Sequence, residues 1–439
     1  MEMVNKNAKD ITIDELATFC KRKGFVYPSA EIYGGLAGFW DYGHLGTSLK
    51  KNFENLWRRY FLGLSDNFYE IEAAEVMPEK VFVASGHLKN FTDIAARCKK
   101  GHIGRADQIV EKSVGERAEG LSSEELMGLI QKHKIVCSTC KGVIDYVGPI
   151  NMMFPIQLGA GTTTTAFLRP ETAQSPYVNF KTQNEVTRGQ MPLGLALIGR
   201  AYRNELSPRN MLLRQRAFTQ AELQIFFNPL EINAHPEFDS IKNYKLRVVS
   251  REHRNKGVQS ISASELAKRI PKFYVYHMAK VQQFYLDFLE FPKDKFRFYE
   301  LNDKEKAFYN KYHFDMEADL GTLGWVEIGG VHYRTDHDLK GHQEISKQNL
   351  TVYDEDTKQK FLPHVLELSF GVDRNFQTLL TFAYEHDAKR DNIVLHLNPK
   401  LAPYKAAVLP IVKGEEYEKL AKDILADLRK EFNVLYDRG

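Results

Sequence analysis

Leu195-Ala-Leu-Ile-Gly-Arg-Ala-Tyr-Arg-Asn-Glu205 and Ala217-Phe-Thr-Gln-Ala-Glu-Leu-Gln-Ile-Phe-Phe227 have strand character, and the loop between them is rich in Arg, Asn and Pro. Together they predict a hairpin with an unusually long, basic connection. In the second strand, alternation puts Phe218, Gln220, Glu222 and Gln224 on one face and Ala217, Ala221, Leu223, Ile225 and Phe227 on the other. A strand with an aromatic ring and a carboxylate on its non-core face presents them to something. The first strand adds Arg203 and Glu205, and the loop adds Arg209, Arg214 and Arg216. Arginines grouped in this way suit bidentate phosphate contacts. A solvated edge hairpin is the plain alternative, and the rest of the chain weighs against it.

Upstream, Leu45, Leu49, Phe53, Leu56, Trp57, Tyr60 and Phe61 recur at helical spacing, which predicts a long amphipathic helix from His44 to Phe61. An alternating strand (Tyr69, Ile71, Ala73) follows and closes at Pro78. Residues 97–145 read as an insertion with a helix near Ser122 to His133, and the Thr162 to Thr165 run fits a strand. Downstream, helical stretches lie within Ser264 to Phe291. Strands are expected at Trp325 to Tyr333 and Phe361 to Ser369, with a helix from Gly371 on. The last fifty or so residues alternate strand, strand, helix, strand: Ile393 to Leu397, Ala406 to Ile411, Glu415 to Phe432, Val434 to Tyr436.

The totals set limits. The 439 residues, 43% of them hydrophobic, suffice for two or three domains with a real core. A net charge of +3 permits a nucleic-acid partner only through a local patch. No stretch reaches the roughly 18 apolar residues of a membrane span, and Lys6, Lys9 and Asp10 break any signal-peptide core, so a cytoplasmic location is expected. Four cysteines, two in Cys137-x-x-Cys140, suit a metal site or free thiols better than a disulfide framework.

Arg203-Asn204-Glu205 with its loop and Phe218 resembles motif 2 of the class II aminoacyl-tRNA synthetases. His44 to Pro78 resembles motif 1, and Glu367-Leu-Ser-Phe-Gly-Val-Asp-Arg374 before an apolar helix resembles motif 3. Leu168-Arg-Pro-Glu-Thr-Ala-Gln174, Trp325-Val-Glu-Ile-Gly-Gly330 and Arg334-Thr-Asp336 are similar to the dimeric glycyl-tRNA synthetases in particular. The resemblance runs from about Tyr27 to the last residue. Two departures, Leu368 where the family has Pro and Ser175-Pro176 where it has Gly-Ile, touch backbone shape rather than pocket charge. Fragments at His102 to Gly104 and Ile345 to Lys347 faintly echo class I signatures, but neither is complete.

The resemblance implies an α+β fold: an antiparallel β-sheet core flanked by helices over residues 1–391, with insertions about 97–145 and 230–324. A partial α/β anticodon-binding domain, continuing in the family beyond Gly439, is expected over 392–439. It implies ATP with Mg2+, glycine and tRNA(Gly) as substrates, and a homodimer built through motif 1.

Arg203 would grip the α-phosphate and the amino-acid carboxylate, and Arg374 the γ-phosphate from the first turn of a helix. Phe218 would stack on adenine and Glu205 would hold its amino edge. Asn204, Leu213, Arg214, Ile328, Gly371 and Asp373 would also line the ATP site, with Glu327 a candidate Mg2+ ligand.

Glu171, Glu222 and Glu367 would wall the glycine pocket, with Phe218, Gln220, Ser369, Gly371 and Arg105 beside them. Each acid near an ammonium group is worth ~4 kcal/mol of gross attraction before desolvation. Without ligand the three repel, so at least one raised pKa is expected. Cys98 and His102 would complete a Cys3His zinc site with Cys137 and Cys140; two plain thiols are the competing reading. The rival functions are a non-catalytic paralogue that binds nucleic acid and a synthetase for serine or alanine. The presence of Arg203, Glu222, Glu367 and Arg374 weighs against the first.

Overall fold

A computed structural model describes all residues except 1–10, 116–117, 119, 161–163, 308, 355–356, 388 and 438–439. Lys6, Lys9, Asp10, Thr162 and Thr163 therefore lie outside the described residues.

The amphipathic segment forms helix α1 (His44–Phe61), burying Leu49, Phe53, Trp57 and Phe61 along one stripe. It can lie close against the chain before it because residue 46 is glycine: a Cβ there would sit 1.9 Å from the Phe25 carbonyl oxygen. Phe61 packs its ring 4.8 Å from Phe370 and 5.0 Å from Phe284, tying α1 to the sheet it covers. Fully burying each such ring is worth about 1.5–3 kcal/mol.

That sheet has nine strands: β1 (Phe68–Glu70), β2 (Leu193–Tyr202), β3 (Ala217–Phe227), β4 (Lys245–Val249), β5 (Gln259–Ser262), β6 (Phe296–Glu300), β7 (Tyr312–Asp319), β8 (Trp325–Thr335) and β9 (His364–Gly371). The spatial order is β5-β4-β6-β7-β8-β9-β3-β2-β1. All neighbours are antiparallel except β1 with β2 and β4 with β6. Helix α2 (Val372–Ala383) follows β9 and packs under the centre, giving the antiparallel core flanked by helices expected of an α+β class II fold.

The predicted hairpin is β2 with β3, in register from Leu193↔Phe226 to Tyr202↔Ala217. Its first strand stops at Tyr202 rather than Glu205: the Asn204 N–H turns away to the Met152 carbonyl. The strand expected at Phe361 to Ser369 is interrupted, because Pro363 has no N–H for a ladder, and Gln359–Phe361 pairs separately. The strand expected through Ala73 pairs only over Phe68–Glu70. Residues 230–324 do not stand apart, since their strands β4 to β7 extend the central sheet.

Residues 97–145 belong to a three-stranded sheet (Thr92–Cys98, Ile103–Arg105, Ile144–Asn151), with helices Ala106–Val114 and Ser123–Lys132 on their own small core. At the C-terminal side, Ala406–Val408 and Val434–Tyr436 pair in parallel, joined by helix Glu415–Leu428. Among the described residues, no helix is long and apolar enough to cross a membrane.

Candidate active site

Strands β3, β8 and β9 lie side by side, and their outward residues form the floor of a cavity of about 180 Å³. Glu171, Glu222 and Glu367 line it together with Arg203, Arg214 and Arg374, so residues far apart in the chain meet as the motifs imply. Phe218, Gln220, Glu205, Leu213, Glu327, Ile328, Ser369, Gly371 and Asp373 also line it.

The acidic end is closely bonded. Glu222 accepts from the Thr172 hydroxyl (2.7 Å), the Ser369 hydroxyl (2.7 Å) and the Gln220 amide (2.9 Å). Glu171 accepts from Gln174 at 2.8 Å, and Glu367 from Gln224 at 2.7 Å. Between Glu171 and Glu367 sits Arg334, which reaches both (3.3 and 3.2 Å) and is held by two bonds to Asp338 (2.8 and 3.0 Å). The Tyr309 ring lies over its guanidinium at 4.2 Å.

This division sets the charges. Burial, then the neighbouring Glu367 and Glu171, push Glu222 up to about 7. Burial pushes Glu171 and Glu367 up as well. For Glu171, Arg334 and then His87 more than offset it, and the carboxyl ends well below the ordinary range. For Glu367, Arg334 and then His332 outweigh burial and hold the carboxyl below its ordinary value. The cup thus holds two firm carboxylates and one that is half-protonated near neutrality.

The other end is cationic. Arg203 lies between the rings of Phe91 and Phe218 (5.4 and 5.1 Å) and donates to the Pro170 carbonyl. Arg374 donates to the carbonyls of Leu213 and Glu327 and pairs with the Glu327 carboxylate at 3.0 Å. Arg214 donates to Glu205 at 2.7 Å.

Two expected site residues do not line the cavity, and a third, Asp373, lines it with its carboxylate turned to the protein. Arg105 does not line the cavity; it stands one link behind it, where Asp93 bridges Arg105 (3.8 Å) and Arg214 (3.4 Å). Asn204 is likewise not among the lining residues. The Asp373 carboxylate is engaged inward, by the Thr219 N–H and the Tyr42 hydroxyl with Lys50 at 3.6 Å, so it braces β3 against α2.

Sequence reasoning gave no role to Arg334, His332, Asp338, Thr172 and Gln174. For two of them a signal was present: alternation along β8 places His332 and Arg334 opposite the core residues Val331 and Tyr333.

Away from the cavity, one donor atom from each of Cys98, His102, Cys137 and Cys140 falls within 4.8 Å of the others. Cys98 Sγ lies 3.5 Å from His102 Nδ1 and 3.7 Å from Cys140 Sγ. Three thiols and an imidazole at these separations match the donor set of a closed tetrahedral zinc site.

No family model matches the chain. Its fold resembles two solved structures from Cryptosporidium parvum. One is a prolyl-tRNA synthetase (TM-score 0.54, 12% identity, 97% of this chain and 63% of that one). The other is described as the RNA binding domain of a threonyl-tRNA synthetase (TM-score 0.56, 17% identity, 97% and 83%). Among curated proteins, the glycine–tRNA ligase of Pyrococcus abyssi is 36% identical over 96% of this chain and 87% of its own length. That of Methanothrix thermoacetophila is 32% identical over 95% and 85%. With the motif residues gathered in one cavity and identity of this order over nearly its whole length, the chain belongs to the glycine–tRNA ligase family of class II aminoacyl-tRNA synthetases.

Proposed function

We propose that this chain activates glycine with ATP and transfers it to the 3'-terminal ribose of tRNA(Gly). The observation that carries this reading is one cavity in which Glu171, Glu222 and Glu367 gather about Arg334 at one end, while Arg203, Arg214 and Arg374 stand at the other with Glu205 and Glu327. Glycine has no side chain to read, so its pocket must hold the ammonium group and leave no room at Cα. Buried acids do both, and a methyl group pressed against them would cost about 1–3 kcal/mol.

In the first step a carboxylate oxygen of glycine bonds to the α-phosphorus, the bond from that phosphorus to the bridging oxygen breaks, and pyrophosphate leaves. Arg203 offsets the charge that builds on the α-phosphoryl oxygens, and Arg374 holds the far phosphate. Phe218 stacks on adenine and Glu205 takes its amino edge. Mg2+, when bound, would neutralise phosphate charge, with Glu327 as a ligand. In the second step the ribose oxygen attacks the adenylate carbonyl, AMP departs, and the hydroxyl proton is released. Neither step asks for a dedicated general base; catalysis is positioning and charge stabilisation.

Glycine-dependent exchange of pyrophosphate into ATP tests the reading. Exchange with glycine and not with serine or alanine is expected. Exchange with another amino acid, or none in a chain that still binds tRNA, would replace it with one of the rival functions.

The same reading includes a cytoplasmic location, a catalytic unit over 1–391 and an anticodon-binding unit over 392–439. It includes a homodimer, supported by Ile32 and Tyr33, which are 89% and 87% exposed just before α1; a sizing column tests it. It also includes a zinc ion held by Cys98, His102, Cys137 and Cys140, which elemental analysis of the purified chain tests.

A further inference from the structure

Among the titratable side chains at the acidic end that the mechanism does not use, His332 stands directly on a pocket carboxylate. The Nδ1 atom of His332, on β8, contacts Oε1 of Glu367 on β9. The other oxygen of Glu367 is taken by Gln224 and Arg334. Oε1 is therefore the oxygen that an incoming cation can address, and an imidazole already stands on it.

We propose that His332 is a positioning residue of the amino-acid pocket: it holds the Glu367 carboxylate until the substrate ammonium group takes that oxygen over, so that protonation of His332 and binding of glycine oppose one another. The inference rests on the assignment of Glu367 to the ammonium group.

The ring is fixed where this exchange can occur. Its Nε2 atom lies 2.2 Å from where a Cβ on Gly330 would be, so the glycine lets the imidazole lie flat against the strand. The His313 ring on β7 meets it edge-to-face at 4.2 Å. The charged and titratable groups around it are Glu367 on β9, His313 and Asp315 on β7, and Arg334 on its own strand. Burial and Arg334 disfavour the imidazolium, but Glu367 outweighs them and holds its pKa up. His313 is turned toward Asp315, which its Nε2 atom contacts at 2.9 Å, and burial pushes its own pKa down. His332 is thus the imidazole coupled to Glu367, as His87, 3.5 Å away, is to Glu171.

Coupling of this kind is reciprocal: whatever protonation of His332 takes from ammonium binding, the ammonium takes from the proton affinity of His332. Glycine must therefore weaken the hold of His332 on its proton, and acid must weaken glycine. Glu222 contributes a separate requirement, since it too must be ionised. The acid side of the KM profile for glycine then reflects two protons, one of them belonging to His332.

Two measurements on this chain test this. The first follows the His332 imidazole by NMR through a pH titration, with and without glycine, in the presence of a non-hydrolysable ATP analogue. A fall in its apparent pKa of at least about half a unit on adding glycine is expected. The second follows KM for glycine in pyrophosphate exchange from pH 8 to pH 5.5. The acid limb is expected to be steeper in the parent than in H332Q, whose side chain does not titrate.

An imidazole titration that ignores glycine, in a chain that shows glycine-dependent exchange, overturns the inference alone. So does an equal acid slope in the parent and H332Q. Absence of glycine-dependent exchange in the parent removes the assignment of Glu367 and this inference together. The NMR arm needs no variant, so misfolding of H332Q leaves the question decidable.

Discussion

The two ends of the cavity are built on opposite plans. At the acidic end Glu222, Glu367 and Arg334 are almost wholly buried, and each carboxylate is met by neutral donors or by Arg334. At the cationic end Arg374 and Glu327 keep 32% and 52% of their side chains in solvent, and the arginines lean on backbone carbonyls and aromatic faces. An end meant for a small, invariant ammonium group can be fixed in advance. An end that must admit a nucleotide and release pyrophosphate stays open to water. Stability and substrate recognition are therefore entangled at the first end and separable at the second.

The hardest test of that contrast is Arg334→Met. Removing the guanidinium leaves Glu171, Glu367 and Asp338 buried without their shared cation, and breaking a buried pair in this way costs about 3–5 kcal/mol. Denaturant unfolding should show a loss of that order. A loss below about 1 kcal/mol would mean that the acidic end is not preorganised by Arg334. At the open end, Arg203→Ala should cut the exchange rate about 100- to 1,000-fold while changing unfolding stability by less than about 1 kcal/mol. If both fall together, the two ends are not separable.

Glu222→Gln sharpens the comparison because its two effects have opposite signs. The folded chain holds Glu222 at about 7 against an ordinary 4.5, so between those values the native state binds more protons than the unfolded one. Stability therefore falls as pH rises through that window, by at most about 3 kcal/mol once pH exceeds 7. A neutral glutamine removes this penalty, less whatever is lost because it has one acceptor oxygen where Glu222 uses two. The melting-temperature difference between variant and parent should grow from pH 5 to pH 8. In the same variant KM for glycine should rise roughly 10- to 100-fold with KM for ATP little changed, the loss of a charge-assisted contact. A pH-independent melting difference, or equal loss of both substrates, would contradict the assignment.

What could be read from the chain alone follows the same divide. Local pattern located α1 to the residue, found the β2–β3 hairpin, and placed Glu222 and Gln224 on its working face, because these are properties of period and spacing. The meeting of Glu171, Glu222, Glu367, Arg203 and Arg374 was legible through family motifs, not through periodicity. The lattice beneath the acids was not legible. Arg334 reaches Glu171 across 163 positions, and a charged residue on a strand reads as solvent-facing until its burial is seen. Strands β4 and β5, at one side of the sheet, carry too few residues for alternation to declare them.

The smallest predicted effect is a fraction of a proton, and it addresses the acidic end most directly. Below pH 7 Glu222 is mostly protonated in the empty site, yet an ammonium group is bound by the carboxylate form. Glycine binding must then drive a proton out. Titration calorimetry in buffers of different ionisation enthalpy reads that proton as a buffer-dependent heat. Performed on the H332Q chain, it removes the His332 contribution from the Glu222 share. The release should approach one proton at pH 6 and fall toward zero by pH 8, where Glu222 is already ionised. Adding Glu222→Gln should abolish it. A release that stays constant from pH 6 to pH 8 would place the titrating group elsewhere and leave Glu222 as a wall rather than a charge.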